Sequence, residues 1–324
     1  MSEPLSLSGV HIEPPAMGGA RTDRAPVTSP ARARAVAQTL AAWGLAGPAV
    51  FFLLVLFLLP VAGVFVIAFS DWQFGARSFS FVGFANFREV FLDPAFRASL
   101  LNSVVYVLIV VPGAGILGLV IAVLIESGKS CRAFYRAVHF LPFMATLAAM
   151  AIAWEALLHP AIGFVNQALA VTGLPTANWL RDENTALPVL AAIGIWQNLG
   201  YAMVLFLAGL KSIPQDLYDA ADVDGADFWF DRLRTVTLPM LGPVSMFVVI
   251  VVAVRAFEPF DIVKVLTQGG PGHASEMLLY TLYRESFEYL RTGYGAALAV
   301  VFLGIVVTLT LVQARIMGKR VHYQ

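Results

Sequence analysis

Along this chain, long apolar runs alternate with shorter polar stretches. The runs fall at about residues 48–70, 104–125, 138–158, 187–210, 241–257 and 295–312. A hydrocarbon layer of ~30 Å takes about 20 helical residues to cross. In lipid each backbone polar group must be satisfied within its own segment, so every run predicts a helix. The pattern therefore predicts an all-α membrane protein with six transmembrane helices. The first run is expected to be retained, because a cleavable signal peptide has a shorter apolar core lying nearer the N-terminus. Residues 1–44, rich in Pro, Ser, Ala, Gly and Arg, hold too little apolar surface to offset chain entropy and predict a disordered tail. A transmembrane domain over 45–317 and a short C-terminal tail over 318–324 complete the organisation.

One polar stretch differs from the others. Residues 214–239 predict a helical hairpin: a helix over Gln215 to Val223 beginning after Pro214, a turn at Asp224-Gly225, and a second helix over Phe228 to Val236. Phe228, Trp229 and Phe230 stand among Asp227, Asp231, Arg232 and Arg234. That is too much apolar area for a solvated loop and too much charge for a bilayer span, so the hairpin is expected to dock on another protein.

Composition narrows the function classes. The chain is 324 residues long, 59% hydrophobic and 13% charged, against ~25% charged in a soluble domain. Lys plus Arg equals Asp plus Glu, and no basic aromatic groove is visible, which sets nucleic acid aside as a partner. Basic residues orient the spans. Thirteen lie on the side of the N-terminal tail and the 214–239 hairpin, among them Arg132, Arg136, Lys211, Arg232 and Arg315, and seven on the other. Both termini and the hairpin are therefore expected in the cytoplasm. Cys131, the single cysteine, has no partner at disulfide or metal-ligand spacing. Gly128-Lys129-Ser130 ends like a phosphate loop, but position 123 is Val rather than Gly and the segment follows a span, not a strand. With no visible nucleotide site, active transport would need a separate ATPase. Hydrolase and zinc-protease motifs are absent from the sequence.

The hairpin also carries a resemblance. Asp219-Ala220-Ala221, three residues, Gly225 and then Thr237-Leu238-Pro239 resemble the EAA loop of permease subunits in binding-protein-dependent ABC importers, in the form found in carbohydrate permeases of the maltose and glycerol-phosphate type. The resemblance runs from about residue 45 to the C-terminus and includes Phe81 to Phe87, Asp93-Pro94, Leu101-Asn102-Ser103 and Leu266 to Gly272. It departs at two points: Asp219 stands where Glu is usual, and the gap from Gly225 to Leu238-Pro239 is one residue longer. What it implies is a type I permease of the bacterial inner membrane, without a catalytic site or cofactor of its own. ATP and Mg would be bound by two copies of a partner ATPase. A second related permease, forming a heterodimer, and a solute-binding protein outside complete the implied assembly. Asp219, Ala220, Ala221 and Gly225 would set the coupling hairpin, with Trp229 and Phe230 as apolar contacts to the ATPase.

Polar groups inside spans are costly and point to function. In the fourth span these are Gln197 and Asn198, flanked by Trp196 and Tyr201; in the fifth, Arg255 lies one turn before Glu258. Positions carried over from the maltose-type permease add Gly194, Asn198 and Tyr201, then Val252, Ala256 and Pro259, as the substrate wall. Tyr201 offers a ring for stacking on a sugar and Asn198 offers both donor and acceptor. The polar groups of the maltose case are missing at Val252, Ala256 and Pro259, so the solute is expected to differ. Arg255 admits two readings, a clamp for an anionic group such as a phosphate or sulfonate and a structural pair with Glu258. Two classes compete: a secondary transporter would need internal repeats and acidic residues near the midplane, and here the acidic residues lie mainly in loops; a membrane-bound enzyme would need a converging set of catalytic groups, and none is visible in the sequence.

Overall fold

The computed structural model describes residues 30–128, 130–226 and 228–320. The tail expected over 1–44 lies outside the described residues up to position 29, as does the end of the C-terminal tail. Two compact units are separated within the chain, Met1–Pro60 and Val61–Gln324. The first holds α1 (Pro30–Phe52) and a π-helical stretch, Leu53–Leu58, and the boundary between units falls within α2 (Leu59–Ala68). The described residues are thus helical from Pro30 onward, inside the segment read as disordered. Alanine recurs through this segment and carries the highest helix propensity, and proline is well tolerated in a first turn. Every side chain from Phe51 to Leu59 is exposed, which is the pattern of a helix apolar all round in contact with lipid.

The second unit is helical throughout its regular structure. It comprises α3 (Ala85–Leu92), α4 (Pro94–Ser127), α5 (Arg132–Met144), α6 (Leu147–Leu157), α7 (Phe164–Val171), α8 (Ala186–Lys211) and α9 (Gln215–Val223). After these come α10 (Trp229–Arg232), α11 (Leu238–Met240), α12 (Gly242–Ala256), α13 (Phe260–Ile262), α14 (Leu278–Tyr283) and α15 (Thr292–Arg320). Among the described residues no strand forms, only one antiparallel bridge between Ser70 and Phe81. Gln38–Ala68, Pro94–Ser127, Ala186–Lys211 and Thr292–Ile316 are each long and apolar enough to cross a membrane. Two further stretches reach that length only as bent pairs, α5 with α6 at 100° and Trp229–Met240 with α12 at 68°, so the described residues hold four such helices, or six if each bent pair is one span. The third expected span is therefore broken. Pro142 withdraws a backbone donor in the last turn of α5, and Ala145 and Thr146 are extended.

The core is built where α8 crosses α4 and α5. Small residues bring the backbones together. A Cβ on Gly118 of α4 would stand 2.7 Å from the Ala202 Cβ of α8. On Gly194 it would overlap the Tyr106 hydroxyl, and on Gly200 the backbone carbonyl of His139 in α5. Around these crossings Val110, Ala114, Leu190, Met203 and Val252 are fully buried.

At the opposite end from the 214–239 hairpin, polar side chains tie loops to helix starts. The Asn102 amide donates to the carbonyls of His273 and Glu276, both at 2.9 Å, and Ser103 Oγ accepts from Leu278 N at 2.9 Å. The Glu276 carboxylate is fully buried, satisfied by Arg284 at 2.6 Å, the Thr281 hydroxyl at 2.7 Å and the His273 ring. Burial lifts the Glu285 carboxyl above its ordinary range against the pull of Arg291, which it meets at 2.9 Å. Asp93 has two tasks: one carboxylate oxygen caps α4 at Ala95 N, 2.8 Å, and the other accepts from the Tyr294 hydroxyl of α15 at 2.5 Å. Tyr294→Phe is expected to lower stability by about 1.5–3 kcal/mol, the worth of a hydrogen bond to a charged group. The thermal midpoint of the protein in detergent measures this, and an unchanged midpoint would show that the bond does not hold α15 to α4.

Candidate functional site

In the middle of α8, Gln197 and Asn198 are both buried. Asn198 uses both ends of its amide. Its Nδ2 donates to the Gly194 carbonyl one turn back, at 2.9 Å, and its Oδ1 accepts from Arg255 Nε of α12 at 3.2 Å. The Arg255 guanidinium also lies 4.5 Å above the centre of the Phe143 ring, and Phe143 stacks on Tyr201 with centroids 4.7 Å apart and planes 16° from parallel. Four side chains from α5, α8 and α12 thus form one connected group, in which amide and aromatic face share the cation.

Beside this group is a cavity of about 100 Å³. Gln197, Asn198, Arg255, Glu258 and Pro259 line it, joined by Tyr106, Leu147 and Ile262. Five of the residues singled out from the sequence are therefore brought together. Tyr201 joins them through Phe143. Gly194 serves differently, since its missing side chain leaves the room that the Tyr106 ring occupies. Val252 and Ala256 are buried and do not line this cavity. The Arg255–Glu258 pair is not among the ion pairs of the described residues. α12 ends at Ala256, so Glu258 lies past the helical spacing that would align the two, and it is exposed. Phe143, Tyr106, Leu147 and Ile262 were missed from the sequence. The signals available were Tyr106, a lone phenol within an apolar span, and Pro142 beside Phe143, which marks the break just after this ring.

The hairpin is assembled from the expected parts. α9 follows Pro214, and Gly225 takes the left-handed backbone, φ +87°, that closes the turn. Arg232 braces it from inside, meeting Asp222 at 2.7 Å and the Ala226 carbonyl at 3.2 Å, while the Tyr218 and Thr237 hydroxyls meet at 3.1 Å. The second arm runs as α10, then a π-helical stretch, Leu233–Thr237, then α11. Ala221 is buried in the hairpin, whereas Asp219, Ala220 and Gly225 are exposed. Trp229 and Phe230 pack edge to face at 5.8 Å yet remain 65% and 53% exposed, a large apolar surface to leave in water. Between the hairpin and the ends of α4 and α8 is a cavity of about 860 Å³, lined by Glu126, Lys211, Tyr218, Trp229 and Arg232 among others.

Residues 95–323 match the family described as binding-protein-dependent transport system inner membrane component. The chain belongs to that family. The permease is 33% identical to a probable ABC transporter permease of Pyrococcus horikoshii, over 77% of this chain and 90% of that protein. It is also 33% identical to a probable ABC transporter permease of Bacillus subtilis, over 83% and 92%. To the sn-glycerol-3-phosphate transport system permease protein UgpA of Agrobacterium fabrum it is 34% identical, over 77% and 85%. Its fold is similar to that of a bacterial ABC transporter involved in the import of the acidic polysaccharide alginate, with TM-score 0.78 at 19% identity, over 89% of this chain and 99% of that one.

Proposed function

We propose that this permease is one membrane half of an ATP-driven importer for a sugar or sugar-derived solute, and that the solute carries an anionic group. The observation that carries the reading is Arg255. Among the described residues its guanidinium has an amide and an aromatic face for partners and no carboxylate within ion-pair distance. A half-buried guanidinium in that setting still has N–H groups for a phosphate, sulfonate or carboxylate. Gln197 and Asn198 supply donors and acceptors for hydroxyls, and the Phe143–Tyr201 stack supplies a flat apolar face. The named solutes of two similar proteins, sn-glycerol 3-phosphate and alginate, are both anionic and carbohydrate-like.

A cavity of about 100 Å³ is small beside the ~300 Å³ or more of a ligand pocket. We therefore take it as one wall of a site completed by a second, related permease. Two ATPase subunits on the hairpins and a solute-binding protein outside would complete the importer. In this reading the chain crosses the bacterial inner membrane six times with both termini and the hairpin in the cytoplasm, as its basic residues suggest. It needs no cofactor of its own. ATP closing the ATPase pair would move the hairpins and switch the spans between outward and inward access. The solute drives the switch only by binding the two states unequally.

Arg255→Gln tests the substrate class. It is expected to lower apparent affinity for an anionic solute at least tenfold, from the ~1.5–3 kcal/mol of a charged hydrogen bond, while sparing a neutral analogue. ATP hydrolysis by the reconstituted importer, titrated with loaded binding protein, is the measurement. Equal response to both solutes in wild type and variant would remove the anion from the proposal.

A further inference from the structure

Where α4 ends and α5 begins, the two helices leave a groove of about 280 Å³ that shares no lining residue with the Arg255 cavity. Its floor is apolar, from Ile121, Leu124 and Ile125 in the last two turns of α4, and its rim is polar, from Ser130, Arg132, Tyr135 and His139. On α5 the rim residues 132, 135 and 139 share one helical face. The groove therefore changes from apolar to polar at the level where a membrane-crossing helix leaves the hydrocarbon. An occupant that suits both halves is amphiphilic.

Its charge is readable from the neighbouring side chains. Arg132 is held over the end of α4 by the carbonyls of Gly128 at 2.5 Å and Glu126 at 2.6 Å. Both Arg132 and Arg136 reach the one Glu126 carboxylate, at 3.5 and 3.9 Å. Two guanidiniums share a single acid, which leaves a positive surplus at the rim. Arg136 Nε is buried with no hydrogen-bond partner, and α5 starts without a side-chain cap or an acidic residue in its first turn. An anion near that start would answer the helix dipole, the orphan N–H groups and the surplus charge together. Tyr135, half exposed on the same rim, is the kind of residue that sits at headgroup depth.

We propose that the α4–α5 groove is a binding site for an anionic phospholipid, with an acyl chain along Leu124 and Ile125 and the phosphate at Arg132 and the start of α5. Basic pockets between membrane helices bind such headgroups by the same physics. The site lies on the hairpin's side of the bundle, since Leu124 also lines the cavity beneath the hairpin. Lipid bound here would brace α4 against α5 next to the segment that docks the hairpin.

The test is native mass spectrometry of the purified importer complex mixed with equal amounts of phosphatidylglycerol and phosphatidylcholine. Wild type is expected to retain phosphatidylglycerol in preference, and Arg132→Gln to lose that preference by roughly fivefold, the worth of one basic residue near a membrane surface. Leu124→Trp alters an exposed position, fills the floor and leaves every charge in place. It is expected to lose the bound lipid at an unchanged thermal midpoint. Three results would overturn the proposal: no preference in wild type, retention by Leu124→Trp equal to wild type, or displacement of the lipid by glycerol phosphate lacking chains. The last would make the groove a plain anion site. The competition in wild type and the Leu124→Trp arm stand even if Arg132→Gln does not fold.

Discussion

Alanine in place of Gly200 is expected to cost more than about 3 kcal/mol, beyond the usual range for overpacking. The added Cβ would stand 1.9 Å from the His139 carbonyl oxygen, 2.8 Å from its carbon and 3.0 Å from Phe140 Cα. All of these are backbone atoms, so no rotamer change can make room. Helices α5 and α8 would have to separate, and with them Phe143 from Tyr201, which are 4.7 Å apart. The loss therefore spreads from packing to the candidate site. Gly115→Ala is the control: its Cβ meets nothing within 4 Å, so this helix-interior change is expected to be neutral or to stabilise by up to about 1 kcal/mol. Thermal midpoint and size-exclusion profile in detergent distinguish the two. A Gly200→Ala protein that melts like wild type would mean that the α5–α8 crossing does not depend on this contact.

That contrast also marks how far the sequence could be read. Gly113, Gly115 and Gly118 stand in one apolar run and look alike in the sequence, yet a Cβ on Gly113 would meet Ile195 and one on Gly118 would meet Ala202, while Gly115 faces open space. Spacing identifies small residues on a helix, but the crossing angle of the second helix decides which of them is used. Apolar runs located the helices well because their signal is long and local. The break at Ala145 and Thr146 escaped notice because hydropathy continues across it, and only Pro142 announces it. In the candidate site, amides and an arginine inside apolar spans were legible by their cost in lipid. Phe143 was not, since one phenylalanine among 24 carries no such mark. Its role depends on the α5–α8 crossing, which stacks its ring on Tyr201 beneath Arg255. The Arg255–Glu258 pair, one of the two readings of Arg255, does not form for a related reason: i,i+3 spacing aligns two groups only where the helix persists, and α12 has ended by Ala256.

Removing both exposed rings of the hairpin, as Trp229→Ser with Phe230→Ser, is expected to weaken attachment of the ATPase on the order of a hundredfold or more. Truncating a buried aromatic anchor at an interface costs about 2 kcal/mol or more, and 1.4 kcal/mol is a factor of ten. Both rings are proposed as the anchors because they are largely exposed, pack on each other at 5.8 Å, and stand at the end of an arm whose inner side-chain bonds do not involve them. Phe230 takes no part in the cavity beneath the hairpin, whereas Trp229 lines it. If the rings instead served the fold, the single variants would differ, with Trp229→Ser lowering the thermal midpoint and Phe230→Ser leaving it unchanged. If they serve docking, the double variant keeps a wild-type midpoint in detergent but no longer retains the ATPase through purification, and ATP-driven uptake is lost. Arg232→Ala gives the complementary case. It removes the brace to Asp222 and the Ala226 carbonyl without touching either ring, so the hairpin loosens while its docking surface survives. A partial loss of uptake with the ATPase still attached is the expected result. A double variant that keeps both its ATPase and its uptake would leave the hairpin without the coupling role assigned to it.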